Sequence, residues 1–384
     1  MQMFKRKVLY LGGFDPRGAR FYHALCAEQV KRLDNPPSVS TRRRIDGDVR
    51  WEVTAHDGSF QTSHEFLVWD DLVRRHWVKG PKALIVNTLR AYANFSRLID
   101  WRAARVVPRG SKITLFYPGA SMFLLPILVT LLLGALLAIV LPVVIALPVA
   151  MAIAIALTPP VMQRLHSKWL LRFIIFNDLV AREATDPALA TRLSRFVDRV
   201  EAALDEEEWD EVLFVTHSNG SILAMPVMAD LLDRRAGQLP GHFTLVTLGS
   251  TIQLVALRRD AAAFRAVLKR VAAWRFRWLD IGSLTDGACI PLVDPCNGTG
   301  VERPPGIVQF SPRWFRYSDP AAYARRRFDK YDIHFDYLRR LDKPSALDYV
   351  GITCGGRPLP ASMAAFQAEN APESGNEQGG SAHV

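Results

Sequence analysis

The sequence predicts an α/β fold, a mostly parallel sheet flanked by helices, interrupted by an inserted hydrophobic helical hairpin. Three observations carry this expectation. Short apolar runs alternate with longer stretches of helical periodicity, the order that a parallel sheet covered on both faces requires. No residue between Lys112 and Arg164 is charged. The apolar run "VLFVT" stops abruptly at His217-Ser218-Asn219-Gly220, which marks the end of a buried strand at a tight turn.

The elements follow in order. "KVLYL" reads as a short buried strand, "GGFDPRG" as the loop after it, and residues 19–33 as a helix. Residues 35–48 are polar and basic and read as a loop, while "VRWEVTA" and "HEFLVWDDL" read as two further strands. Residues 81–101 and "SKWLLRFIIFNDLVARE" have helical spacing on either side of the charge-free interval. Residues 186–207 open on Asp-Pro, a helix start, and repeat their apolar positions every three or four residues. Next come a strand over 211–216, a helix over 218–234, a strand over 242–247, a helix over 260–273 and the strand "WRFRWLDI". The polar tail from Glu369 has the composition of a disordered segment.

The charge-free interval is almost purely aliphatic. A membrane-spanning helix needs about 20 apolar residues, so the interval accommodates two, over about 120–139 and 143–158, with the turn near Val140 to Val143. A tight hairpin returns the chain to its starting side. Arg102, Arg105, Arg109 and Lys112 precede it and Arg164, Lys168 and Arg172 follow, and such basic flanks favour the cytoplasmic face. Trp101, Tyr117 and Trp169 are suited to the interface. The expected organisation is therefore 1–112 and 164–368 forming one domain, 113–163 a transmembrane insertion and 369–384 a tail, integral to the cell inner membrane, with the lipid bilayer as partner.

Composition narrows the remaining classes. The four cysteines form no C-x-x-C pair, and the N-terminus lacks the apolar stretch of a signal peptide, so a reducing, cytoplasmic setting is expected. The formal charge of +10 is unaccompanied by any zinc-finger or RNA-binding motif, so no nucleic-acid partner is expected. The arginine runs at Arg42 to Arg44 and Arg325 to Arg327 read as solvated faces or lipid-headgroup contacts. Gly12-Gly13 has neither dinucleotide nor P-loop spacing, and Cys289 and Cys296 lack the spacing of a metal site. No cofactor or metal is expected.

A serine hydroxyl becomes a nucleophile when a histidine removes its proton and a carboxylate holds that histidine. Thr216-His217-Ser218-Asn219-Gly220 resembles the G-x-S-x-G elbow of the α/β-hydrolase superfamily, with Gly220 kept and Thr216 in place of the first glycine. "FTLVTLGS" resembles the following strand of lipase-like members, and "RWLDIGSLTDGACIPLVDP" the strand and acid-bearing loop after that. The resemblance covers about residues 5–18 and 211–335.

The resemblance implies a serine hydrolase, lipase- or esterase-like, that cleaves an ester or thioester of an amphiphilic acyl substrate. It implies Ser218 as nucleophile and Asp286 as the acid, with Asp294 the alternative and Asp280 structural. Only His334 and His383 follow Asp286, and His383 lies in the tail, so His334 is the expected base. The oxyanion donors are expected to be the backbone amides of Asn219 and of Phe14, with Asp15 next, in a loop whose Gly12 and Gly13 permit close backbone approach. His217 is expected to pack. The rival reading is a catalytically silent membrane scaffold of the same fold that binds a partner or a lipid; Thr216 and the long interval between Asp286 and His334 keep it open.

Overall fold

The structure is a computed structural model that describes residues 2–371. It is an α/β fold built on a mixed sheet of nine strands. The strands are β1 (Phe4–Leu11), β2 (Ser38–Val39), β3 (Arg43–Ile45), β4 (Asp48–Thr54), β5 (Phe60–Phe66), β6 (Glu211–His217), β7 (Phe243–Leu248), β8 (Trp278–Ile281) and β9 (Ile307–Phe310). Their order is β2-β4-β5-β1-β6-β7-β8-β9, with β3 also paired to β4. From β5 to β9 every neighbouring pair is parallel, and antiparallel pairing is confined to the β2–β5 side.

The helices are α1 (Gly18–Val30), α2 (Asp70–His76), α3 (Pro81–Leu98), α4 (Arg109–Leu137), α5 (Val143–Arg164), α6 (Ser167–Ala181), α7 (Pro187–Asp205), α8 (Gly220–Arg234), α9 (Ile252–Ala256) and α10 (Ala262–Ala272). Beyond β9 come α11 (Trp314–Tyr317), α12 (Pro320–Arg326), α13 (Lys330–His334), α14 (Tyr349–Cys354) and α15 (Leu359–Glu369).

The alternation of side chains along each strand divides the core into two layers. Leu9, Leu11, Val212, Phe214, Phe243 and Leu245 pack against α7, α8 and α10. Val8, Tyr10, Leu213, Val215, Val246 and Leu248 face α1, α14 and α15. Helix α7 illustrates the link from sequence to packing: the Asp186 side chain accepts from the Ala188 amide, Pro187 opens the first turn, and Leu189, Phe196, Val197 and Val200 are buried on one face.

Several boundaries differ from the sequence-based expectation. The basic segment 35–48 holds the short strands β2 and β3, which tertiary pairing with β4 recruits despite their polarity. "HEFLVWDDL" is a strand only to Phe66, and Asp70 begins α2. Strand β8 starts at Trp278, and β9, in a segment that carried no strand expectation, extends the sheet. Helix α15 runs into the segment read as tail, as far as Glu369. Residues 372–384, and His383 with them, lie outside the described residues.

Helices α4 and α5 are 29 and 22 residues long, about 44 and 33 Å at 1.5 Å per residue. Both are long and apolar enough to cross a membrane. They pair through small residues: a Cβ on Gly134 would lie 2.7 Å from Leu147 Cδ2, and the buried face of α5 is Ala146, Ala150 and Ala154. Leu132, Ile139, Val140 and Val144 are largely exposed. The turn falls between Leu137 and Val143, as expected, but α4 begins at Arg109 and α5 ends at Arg164. The helices therefore extend beyond the apolar interval at both ends.

Charge is also buried in the sheet. Lys7 Nζ donates to Glu65 at 2.7 Å, and Arg50 and Arg199 complete a cage around that carboxylate at 2.8 and 2.7 Å. Burial pushes the Glu65 carboxyl up, but the Arg199, Lys7 and Arg50 bonds prevail and hold it at about 2. Titrating lower folded than unfolded, Glu65 contributes stability that is complete above its ordinary value of 4.5 and is lost as pH falls from there toward 2. Glu65→Gln is expected to destabilise the protein by about 3–5 kcal/mol, because Lys7 is left buried and unpaired. Thermal denaturation in a fixed detergent checks this, and the variant's deficit should shrink as pH falls below 4.5.

Candidate active site

Strands β1 and β6 run parallel with Leu11 opposite Thr216, so the loop after β1 and the turn after β6 leave the sheet side by side. Thr216 is fully buried and still extended within β6, its hydroxyl directed to Val246 O at 3.5 Å. Ser218 follows with φ +55, a left-handed conformation that costs a non-glycine residue about 1–2 kcal/mol. At Gly220, the first residue of α8, a Cβ would lie 2.2 Å from Leu11 O. The steric demand of the turn thus falls on Gly220, and the strand tolerates threonine at the first position.

The loop after β1 meets this turn directly. A Cβ on Gly13 would lie 2.9 Å from Ser218 Cβ and 3.1 Å from His217 O, whereas Gly12 has room for one. The loop is fixed from outside: Trp69 Nε1 donates to Gly12 O at 3.0 Å, and the Phe14 ring stacks on Phe176 at 4.4 Å and on Trp77 at 5.5 Å. The Asp15 amide is used by Gly13 O at 2.8 Å. Its carboxylate accepts from Arg17 and from Tyr22 Oη, so the Asp15 amide is engaged while that of Phe14 is not.

Asp286 lies five residues past β8 and His334 ends α13. The two meet in the interior: His334 Nδ1 is 2.8 Å from Asp286 Oδ2, and both side chains are buried. Asp286 Oδ1 accepts from the Ala288 amide at 2.9 Å. Burial raises the Asp286 carboxyl, but the adjacent His334 outweighs it and the group is held below its ordinary value. The carboxylate thus fixes Nδ1 as the protonated nitrogen and leaves Nε2 as a base. That Nε2 is buried without a hydrogen-bond partner among the described residues, so the bond to Ser218 Oγ is not formed.

The two other carboxylates sit elsewhere. Asp280, on β8, accepts from Thr247 Oγ1 at 2.6 Å and Gln309 at 2.9 Å, and burial pushes it up to about 6. Asp294 accepts from the Cys296 amide and pairs with Arg303. Neither bonds to His334.

Three neighbours carried no functional expectation. His217 Nε2 lies 3.0 Å from the His334 carbonyl and its ring is 4.7 Å from the His334 ring. Burial, then the neighbouring His334, lowers it to about 3, so it is neutral and donates that bond. Trp169, expected at a membrane interface, packs on His334 at 5.6 Å and on Tyr331 at 5.0 Å. Arg17 lies over Phe21 and Phe335 at 3.7 and 4.5 Å. Apart from the local Arg17–Phe21 contact, these join residues far apart in the chain and carry no local sequence signal.

The backbone amides of Asn219 and Phe14 make no hydrogen bond among the described residues. Around this point the fold gathers a strained serine, an orientated histidine, a buried carboxylate and two free amides, the parts from which acyl transfer can be built. Comparison with protein-family models, with curated proteins and with solved structures finds no match.

Two outcomes follow for the turn. Ser218→Gly should raise the thermal midpoint relative to Ser218→Ala by relieving about 1 kcal/mol of backbone strain, while Gly220→Ala should destabilise by about 3 kcal/mol or more; differential scanning calorimetry in detergent separates them. His217 titrates lower folded than unfolded, so its neutral burial loses stability as pH falls from 6.5 toward 3. Over that window His217→Gln should flatten stability against pH by up to about 1.4 kcal/mol per pH unit.

Proposed function

We propose that the protein is a membrane-anchored serine hydrolase of α/β-hydrolase type that cleaves carboxylic esters or thioesters. The observation that carries this reading is the His334–Asp286 pair at 2.8 Å, buried at the same sheet end as the left-handed Ser218. Ser218 Oγ attacks the substrate carbonyl as its proton passes to His334 Nε2. Asp286 stabilises the imidazolium through Nδ1–H, and the amides of Asn219 and Phe14 hold the oxyanion. Collapse expels the alcohol or thiol with the proton from His334, leaving an acyl-Ser218. Water, deprotonated by His334, then releases the acid and restores the serine. The partnerless Nε2 is free to take this proton, and catalytic hydrogen bonds of this kind tighten around a substrate.

The substrate class follows from position. Helix α6, which continues from the apolar pair, sends Phe176 to the Phe14 loop and Trp169 to His334. A site joined in this way to two membrane-length helices suits lipid-like or acylated substrates delivered from the bilayer. The basic residues flanking the hairpin favour anchoring in the inner membrane with the sheet on the cytoplasmic side.

A fluorophosphonate probe applied to detergent-solubilised full-length protein tests the reading. Labelling of wild type, abolished in Ser218→Ala and lowered at least about 100-fold in rate in Asp286→Asn, is expected. Labelling that persists in Ser218→Ala rejects this nucleophile, and folded wild type that never labels favours the silent scaffold.

A further inference from the structure

Away from this site, the fold brings together three side chains that the sequence keeps far apart. Cys26 of α1, His64 of β5 and Cys354 of α14 are all buried, and one ligand atom from each lies within 4.8 Å of the others. Cys26 Sγ is 3.9 Å from Cys354 Sγ, which is 3.4 Å from His64 Nε2. A tetrahedral zinc ion with Zn–S of about 2.3 Å and Zn–N of about 2.0–2.1 Å separates sulfur from sulfur by about 3.8 Å and sulfur from nitrogen by about 3.6 Å. These two spacings match, and Cys26 and His64 lie within 4.8 Å of each other.

We propose that Cys26, His64 and Cys354 form a structural zinc site. The donor set selects the ion class. Two thiolates and an imidazole suit soft or borderline metals and disfavour magnesium and calcium. Two thiolates with a dication are also electrically neutral together. That balance matters because the aromatic rings around the cluster supply no compensating charge. Trp51 lies parallel to His64 at 5.4 Å, and Tyr10, Trp51 and Tyr349 line a small cavity beside Cys26. That cavity, about 10 Å³, borders Cys26 and is too small for a substrate.

The ligands also explain what the ion would do. Cys26 and Cys354 are 328 positions apart, and His64 sits on the strand beside β1. One ion would tie the late helix α14 to the sheet and to α1, the helix that follows the Phe14 loop. Its loss should loosen the far end of the chain while leaving Ser218 in place.

The test uses the full chain, purified in detergent without chelator. About one zinc per chain should be found by inductively coupled plasma mass spectrometry and released by a mercurial thiol reagent, with a fall in thermal midpoint on release. Reconstitution with Co²⁺ should give a thiolate-to-cobalt charge-transfer band. That band should disappear in Cys26→Ser and Cys354→Ser, weaken in His64→Gln, and survive in Cys296→Ser, whose thiol is also buried. Folded wild type that holds no zinc and gives no cobalt band overturns the proposal, whether or not any variant folds. So does a Cys26–Cys354 disulfide in protein kept under reducing conditions, or a band that persists in either serine variant. Fluorophosphonate labelling of the same sample reports Ser218 separately, so the zinc site and the hydrolase reading fail independently.

Discussion

The close passage of the β6–α8 turn under the end of β1 is the constraint on which the rest of the site depends. Leu11 O occupies the space that a Cβ on residue 220 would need, and Gly13 abuts both Ser218 Cβ and His217 O. With both glycines in contact across the turn, residue 218 is left with φ +55. The strain is local, and the parallel β1–β6 pairing that enforces it is fully buried around Leu9, Leu11, Leu213 and Val215.

Around that turn, each remaining piece is held by packing from a different part of the chain. The loop after β1 is clamped by Trp69 and by the stack of Phe14 on Phe176. His334 is held at Nδ1 by Asp286, at its carbonyl by His217 and on its face by Trp169. Phe176 and Trp169 both belong to α6, so a single helix leading from the apolar pair touches the two sides of the site.

Much of the architecture was legible in the sequence because it rests on local periodicity. The alternation of apolar runs and amphipathic stretches marked β1, β6, β7, α7 and α8, and the charge-free interval marked α4 and α5. The short edge strands β2 and β3 and the outer strand β9 escaped notice because their pairing, not their composition, makes them strands. The extent of "HEFLVWDDL" was overread because the apolar run Leu67 to Trp69 leads into a helix and not along the sheet. At the site, Ser218, Asp286 and His334 could be named from order along the chain, but order says nothing of the 2.8 Å that joins the last two.

The sequence by itself determined which segments are apolar, where they alternate, and which residue types stand at the turn after β6. These are properties of neighbours in the chain, set by side-chain chemistry and backbone preference. Only the tertiary structure decided that Gly220 bears the steric demand that Thr216 escapes, that His217 and Trp169 brace His334, and that Cys26, His64 and Cys354 come together. Those outcomes depend on which strands pair and on what packs across them, distances between residues up to 328 positions apart that no local pattern encodes.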